Sequence, residues 1–234
     1  MLPSMTARVP SRGRAGIDGA MMRPRPAPAA AIALLATAVY AVMWIGYRHG
    51  WGWLARMDWS LLNGTRDLAV KHPGWLRAAE VVSVVLGPGT LAVLGIAVTL
   101  CAVVLRRLRA ALVLALACAP CNELVTAGAK ALVDRPRPPT ALVGAASTSF
   151  PSGHALEATA GLLAMTLFAL PMLNRVLRGL LVAAVAVALP AVGLSRVMLN
   201  VHYPSDVLAG WSLGYLYFLL CLLVFRPSAP DRSG

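Results

Sequence analysis

Residues 195–225 read SRVMLNVHYPSDVLAGWSLGYLYFLLCLLVF: a segment carrying Arg196, His202 and Asp206 leads into an apolar run from about 205 to 225. A hydrocarbon core about 30 Å thick is crossed by roughly 20 mostly apolar helical residues. The run therefore predicts a membrane-spanning helix with ionisable groups gathered at its mouth. Working outward, five more such stretches occur, at about 29–47, 88–105, 109–131, 154–171 and 177–195. Apolar residues make up 59% of the 234 positions and charged residues 13%. With a mean hydropathy of +0.72, that composition is too apolar for a soluble domain. The expected fold class is all-α, a polytopic membrane bundle of six transmembrane helices over residues 29–226. A disordered basic cytoplasmic tail is expected at 1–28 and a short cytoplasmic tail at 227–234. The apolar piece 75–86, before Gly87-Pro88-Gly89, is too short to span alone and either dips into the membrane or merges with the second helix.

Six spans put both termini on one side, and cytoplasmic loops close to membrane helices retain Lys and Arg. Placing the termini in the cytoplasm puts twelve of the 21 basic residues inside, with short basic links at 106–109 and 172–178. The expected location is thus the cytoplasmic membrane, multi-pass, with the active site on the extracytoplasmic side. The net charge of +12 reads as topology plus attraction to anionic lipid. No soluble basic face exists for nucleic acid. A basic stretch before an apolar one also fits a signal peptide, but the run at 29–47 is long for that role, and an uncleaved anchor is expected. Cys101, Cys118, Cys121 and Cys221 all fall in apolar spans as small buried hydrophobes, so no disulfide framework is expected. Cys118-Ala-Pro-Cys121 lies inside a membrane helix and lacks the context of a redox motif.

Three polar clusters stand out: Lys130 with Arg137-Pro138, Pro151-Ser152-Gly153-His154, and Ser195-Arg196 with His202 and Asp206. Counting helices brings all three to the outer surface, which is the argument for one site. A phosphate ester is stabilised by positioning and fixed positive charge, and Lys130, Arg137 and Arg196 can supply that charge. Pro136, Pro138 and Pro139 stiffen the strip around Arg137. Pro151-Ser152-Gly153-His154 opens a helix, where free backbone N–H groups and the helix dipole favour an anion. Ser152 is either a plain N-cap or a phosphate contact, Gly153 lets backbone approach a ligand, and His154 sits where a leaving oxygen could be protonated. His202 and Asp206, four apart around Pro204, allow the carboxylate to accept one ring N–H and leave the other nitrogen as a nucleophile.

As spacings these clusters are K-x6-R-P, P-S-G-H and S-R-x5-H-x3-D, and the chain from roughly 58 to 226 resembles the type-2 phosphatidic acid phosphatase superfamily. That superfamily also holds bacterial acid phosphatases and vanadium haloperoxidases. The resemblance implies the acid phosphatase/vanadium haloperoxidase-like core. It makes Lys130, Arg137 and Arg196 a phosphate clamp, with Ser152 and Gly153 as its phosphate-contacting turn. It further makes His154 the general acid, His202 the nucleophile forming a phosphohistidine, and Asp206 its partner. It implies chemistry without a metal or other cofactor. The residues give no metal-ligand pattern either.

The activity expected is hydrolysis of a lipid phosphomonoester or diphosphate, of the phosphatidic acid, phosphatidylglycerol phosphate or undecaprenyl diphosphate type. The partners are then that lipid and the membrane. The alternatives are transfer of the phosphoryl group to another acceptor, or a non-catalytic lipid-phosphate binder or transporter. Arg48, Arg56, Arg66, Lys71, Arg77 and Arg135 read as snorkelling anchors, His49 and His72 as interfacial, and Trp51, Trp53, Trp59 and Trp75 as an aromatic belt. Glu123, two turns before Lys130, either lines the wall below the site and orients Lys130 or a water, or is a structural carboxylate. Glu157 either shares such a role or only favours its helix's first turn. Gly210 and Gly214 read as a close-packing motif.

Overall fold

The computed structural model describes residues 26–118 and 121–224. The tails expected at 1–28 and 227–234 lie outside the described residues but for the last few positions of the first, as does Pro120 of the Cys-x-x-Cys stretch. All described elements are helical: α1 (Pro26–Arg48), α2 (Gly52–Lys71), α3 (Pro73–Val85), α4 (Pro88–Val104), α5 (Leu108–Cys118), α6 (Cys121–Val133), α7 (Gly153–Ala169), α8 (Arg175–Met198) and α9 (Pro204–Val224). Six candidate membrane spans follow: Pro28–Arg48, Pro73–Val104, Leu108–Val133, Gly153–Met172, Arg175–Met198 and Pro204–Val224. The all-α six-span expectation is met. The short apolar piece at 75–86 merges with its successor, since α3 and α4 form one span of 32 residues. Gly87 and Pro88 mark the joint, and Pro88 fits at the first turn of α4, where its missing N–H costs nothing.

Trp51, Trp53, Trp59 and Trp75 are exposed, and residues 52–71 form α2, whose buried residues Leu54, Asp58, Leu62 and Ala69 share one face. That face packs on α3, α8 and α9, and Leu62 is fully buried. Asn200, just past α8, has φ 54, a left-handed conformation that Asn tolerates better than most residues. Its side chain donates to Leu62 O at 3.2 Å and accepts from Thr140 Oγ1 at 2.7 Å. The end of α8, the 139–150 stretch and α2 are thereby tied together.

At the centre, α7 lies against α9, α8, α5 and α6. Gly210 makes the α7–α9 approach possible: a Cβ there would sit 2.6 Å from Ser152 O and 2.9 Å from Ala155 Cβ. Backbone cannot yield as a side-chain tip would, so overpacking here costs about 1–3 kcal/mol or more. Gly210→Ala is expected to lower the unfolding temperature in detergent, although Ala is the better helix former by about 1 kcal/mol. Gly179→Ala, at a position with nothing within 4 Å, is the control expected to be neutral or stabilising. Equal midpoints for the two variants would contradict the close approach.

Candidate active site

Four helix ends build the site: the last turn of α6 carries Lys130, the first turn of α7 His154, the last turn of α8 Arg196, and the first turn of α9 Asp206. Backbone bonds lock these ends together. Ser152 N donates to Asp206 O at 3.0 Å, and Ser149 N donates to Arg135 O at 2.7 Å. The three sequence clusters therefore meet at one end of the bundle.

Lys130 Nζ donates to Thr148 O. Arg137 donates to Ser147 O at 2.5 Å and Val201 O at 2.7 Å, and Arg196 to Ser83 Oγ of α3. Carbonyl and hydroxyl acceptors orient a cation without neutralising it. Among the described residues none of the three has a carboxylate at ion-pair distance, yet they lie within electrostatic reach of one another. Three mutually repelling cations, Arg196 buried and Lys130 and Arg137 half-buried, form an arrangement that an anion among them would stabilise.

The mouth of α7 adds a second anion-binding element. Ser152 sits at the N-cap with no side-chain cap bond, and its hydroxyl is buried without a partner. Of its two readings, the plain cap is absent. Arg196 Nε is likewise buried and unpartnered. Gly153 is needed for packing as well as approach, because a Cβ there would meet Thr126 Cγ2 at 3.0 Å. His154, half-buried, lies within reach of the charges on Arg196, His202, Arg137 and Lys130.

His202 is buried, and its Nε2 lies 3.2 Å from Arg137 Nη1. Arginine only donates, so Nε2 is the acceptor and the ring proton belongs on Nδ1, which faces Asp206. Nε2 thus presents a lone pair toward the clamp. Nδ1 lies 3.6 Å from Asp206 Oδ2, close enough to feel the charge but longer than the hydrogen bond expected from the spacing. The cause is crowding: that oxygen already accepts from Ser149 Oγ and from Tyr203 N, the latter at 2.9 Å. Burial pushes the His202 imidazole down to about 4, Asp206 opposing and Arg137 and Arg196 reinforcing the shift.

Arg135, read from sequence as an interfacial anchor, is instead 7% exposed. Its guanidinium pairs with Asp58 Oδ2 at 2.9 Å and Asp206 Oδ1 at 2.7 Å. It lies 4.6 Å from the Tyr47 ring and 4.0 Å from the Tyr203 ring. Removing one partner from a buried ion pair costs about 3–5 kcal/mol. Arg48, Arg56, Arg66, Lys71 and Arg77 remain exposed. Glu123 is exposed too, so it lines no inner wall. The buried carboxylate beside Lys130 is Glu157, which accepts from Thr126 Oγ1 at 3.1 Å. Sequence reasoning also missed Asp58, Ser83 and Ser149. Of these only Asp58 left a trace, as an acid on the apolar face of a helical pattern. No group of three or more His, Cys, Asp and Glu able to hold a metal occurs among the described residues.

The crystal structure of a transmembrane PAP2-type phosphatidylglycerolphosphate phosphatase from Bacillus subtilis shares the fold. It superposes with a TM-score of 0.71 over 87% of this chain and 98% of that one, at 23% identity. Phosphatidylglycerophosphatase B of Bacillus subtilis (strain 168) is 39% identical over 103 residues, 42% of this chain and 50% of the relative. The match thus spans about half the relative's length. The sequence model of the PAP2 superfamily matches residues 107–229, more than half of the chain and the segment that holds all three clusters. On that match the chain belongs to the PAP2 superfamily.

Proposed function

We propose that this chain is a membrane lipid phosphate phosphatase working through a phosphohistidine on the extracytoplasmic face. One observation carries the reading: three cations that, among the described residues, have no carboxylate at ion-pair distance converge with a helix mouth beside the unprotonated Nε2 of a buried histidine, which Arg137 engages. In the first step His202 Nε2 attacks phosphorus, the bond from phosphorus to the lipid oxygen breaks, and His154 gives that oxygen a proton. Water then attacks the phosphohistidine, His154 takes a proton from it, and orthophosphate leaves. Lys130, Arg137, Arg196 and the N–H groups at the mouth of α7 hold the charge on the phosphoryl oxygens in both steps.

The membrane spans favour a lipid substrate, and the names of the two similar proteins favour phosphatidylglycerol phosphate over other lipid phosphates. The basic links at 106–109 and 172–178 support the extracytoplasmic placement. Purified protein in detergent, offered phosphatidylglycerol phosphate, phosphatidic acid and a polyprenyl diphosphate, tests the reading through released orthophosphate. Turnover is expected to be fastest on the first, unchanged by EDTA, and abolished by orthovanadate, which mimics five-coordinate phosphorus. Indifference to orthovanadate, or dependence on a divalent cation, would count against the covalent mechanism driven by the protein's own cations.

A further inference from the structure

The family match begins at residue 107, yet the buried network around the site reaches back to α2. Asp58 is 1% exposed and has both oxygens engaged. Its Oδ1 accepts from Ser205 N at 2.9 Å, and its Oδ2 from Ser205 Oγ at 2.6 Å and Arg135 Nη2 at 2.9 Å. Arg135 in turn donates through Nη1 to Ser205 Oγ at 2.8 Å and Asp206 Oδ1 at 2.7 Å. Asp58 therefore holds Asp206 twice, once through the backbone of the preceding residue and once through the guanidinium.

We propose that Asp58 and Arg135 are positioning residues for the phosphoryl transfer, a two-armed brace that holds the Asp206 carboxylate with Oδ2 facing Nδ1 of His202. The inference rests on His202 being the nucleophile. Neither side chain is bonded to Lys130, Arg137 or Arg196: Arg135 reaches Asp206 through Oδ1 and Asp58 through Ser205, whereas His202 faces Oδ2. Arg135 differs from its neighbour Arg137 in this respect: both its donor arms are committed to carboxylates, and its faces lie against Tyr47 and Tyr203. The planar fork is what the brace needs. A lysine ammonium at 135 could satisfy one carboxylate but could not span both in one plane. The aim of Oδ2 is what is at stake, because that oxygen lies at 3.6 Å from Nδ1, and a rotation of the carboxylate would turn it away.

The test uses the full chain in detergent, with turnover on phosphatidic acid, inhibition by orthophosphate, and thermal unfolding measured for Asp58→Asn, Arg135→Lys and His202→Ala. Misplacing a catalytic group by about 1 Å can cost about 100-fold. Arg135→Lys is expected to lose kcat on that scale and Asp58→Asn about tenfold. KM and the orthophosphate inhibition constant should stay within about twofold, because the clamp is untouched. A purely structural role would reduce the amount of folded protein but leave kcat per folded molecule unchanged.

If Arg135→Lys does not fold, Asp58→Asn, which keeps the shape of the side chain, decides alone. Folded Asp58→Asn with wild-type kcat overturns the proposal, as does an Asp58→Asn protein that cannot fold, which would assign the brace to stability only. Shifts in KM and orthophosphate binding as large as the shift in kcat overturn it too. His202→Ala separates the two levels. Lost turnover there beside an unaffected Asp58→Asn removes only the brace, whereas retained turnover in His202→Ala removes the nucleophile and the brace with it.

Discussion

His202→Ala is expected to abolish orthophosphate release, by on the order of 10⁴-fold or more, while the protein still folds; orthovanadate should bind it more weakly, because Nε2 supplies the fifth ligand of the five-coordinate centre. The variant lacks the attacking atom, because Nε2 of His202 is the ring nitrogen that faces Arg137. The ring is available at neutral pH because burial has pushed it down to about 4, below the usual histidine value near 6.5. The same shift fixes the sign of a stability effect. Between about pH 6.5 and 4 the unfolded chain binds a proton at His202 that the folded chain does not, so stability falls as pH falls through that window. His202→Ala removes this contribution. Its unfolding midpoint should vary less with pH there than the wild type does, even though its turnover is gone. Radiolabelled phosphate retained on the wild-type protein after an acid-free quench, and missing from the variant, would tie the loss to the covalent step. Wild-type phosphate release from folded His202→Ala would remove the nucleophile assignment.

The spans and the three clusters could be read from the sequence because each is encoded locally, by run length in one case and by short spacing in the other. The helix ends then bring the clusters together, as counting the spans implied. What escaped the reading was contact between distant segments. Arg135 and Arg137 share one proline-rich strip, and nothing within it tells which faces phosphate and which faces carboxylates. The difference lies with Asp58, 77 residues upstream on a helix that was not anticipated. Leu54, Asp58 and Leu62 recur at helical spacing, and an acid on an otherwise apolar stripe asks for a buried cation. Glu123 and Glu157 could not be told apart for a similar reason. Two turns of helix place Glu123 in line with Lys130, but at its end of α6 the side chain is exposed, and it is Glu157 that approaches Lys130, from α7. The His202–Asp206 spacing brings the two side chains face to face but does not set their separation, which depends on Ser149 arriving from another loop.

His154→Ala is expected to separate the roles of the two histidines through the leaving group. A lipid alcohol is a poor leaving group unless its oxygen is protonated as the bond to phosphorus breaks, so losing the acid should slow phosphatidic acid turnover by about 10²–10⁴-fold. A p-nitrophenolate leaves readily without a proton. With p-nitrophenyl phosphate the first step should therefore stay fast in the variant. The second step still lacks the base that activates water, so the phosphohistidine should accumulate. The signature is a burst of p-nitrophenol equal to the concentration of sites, followed by slow turnover. His202→Ala should show no burst with either ester. The clamp cations, Lys130 and Arg137 oriented by carbonyls of 147, 148 and 201 and Arg196 by Ser83 Oγ, remain in place in both variants, so the inhibition constant of orthophosphate should change little in either. An equal loss on both esters, with no burst, would mean that His154 only shapes the mouth of α7 and that the proton comes from elsewhere.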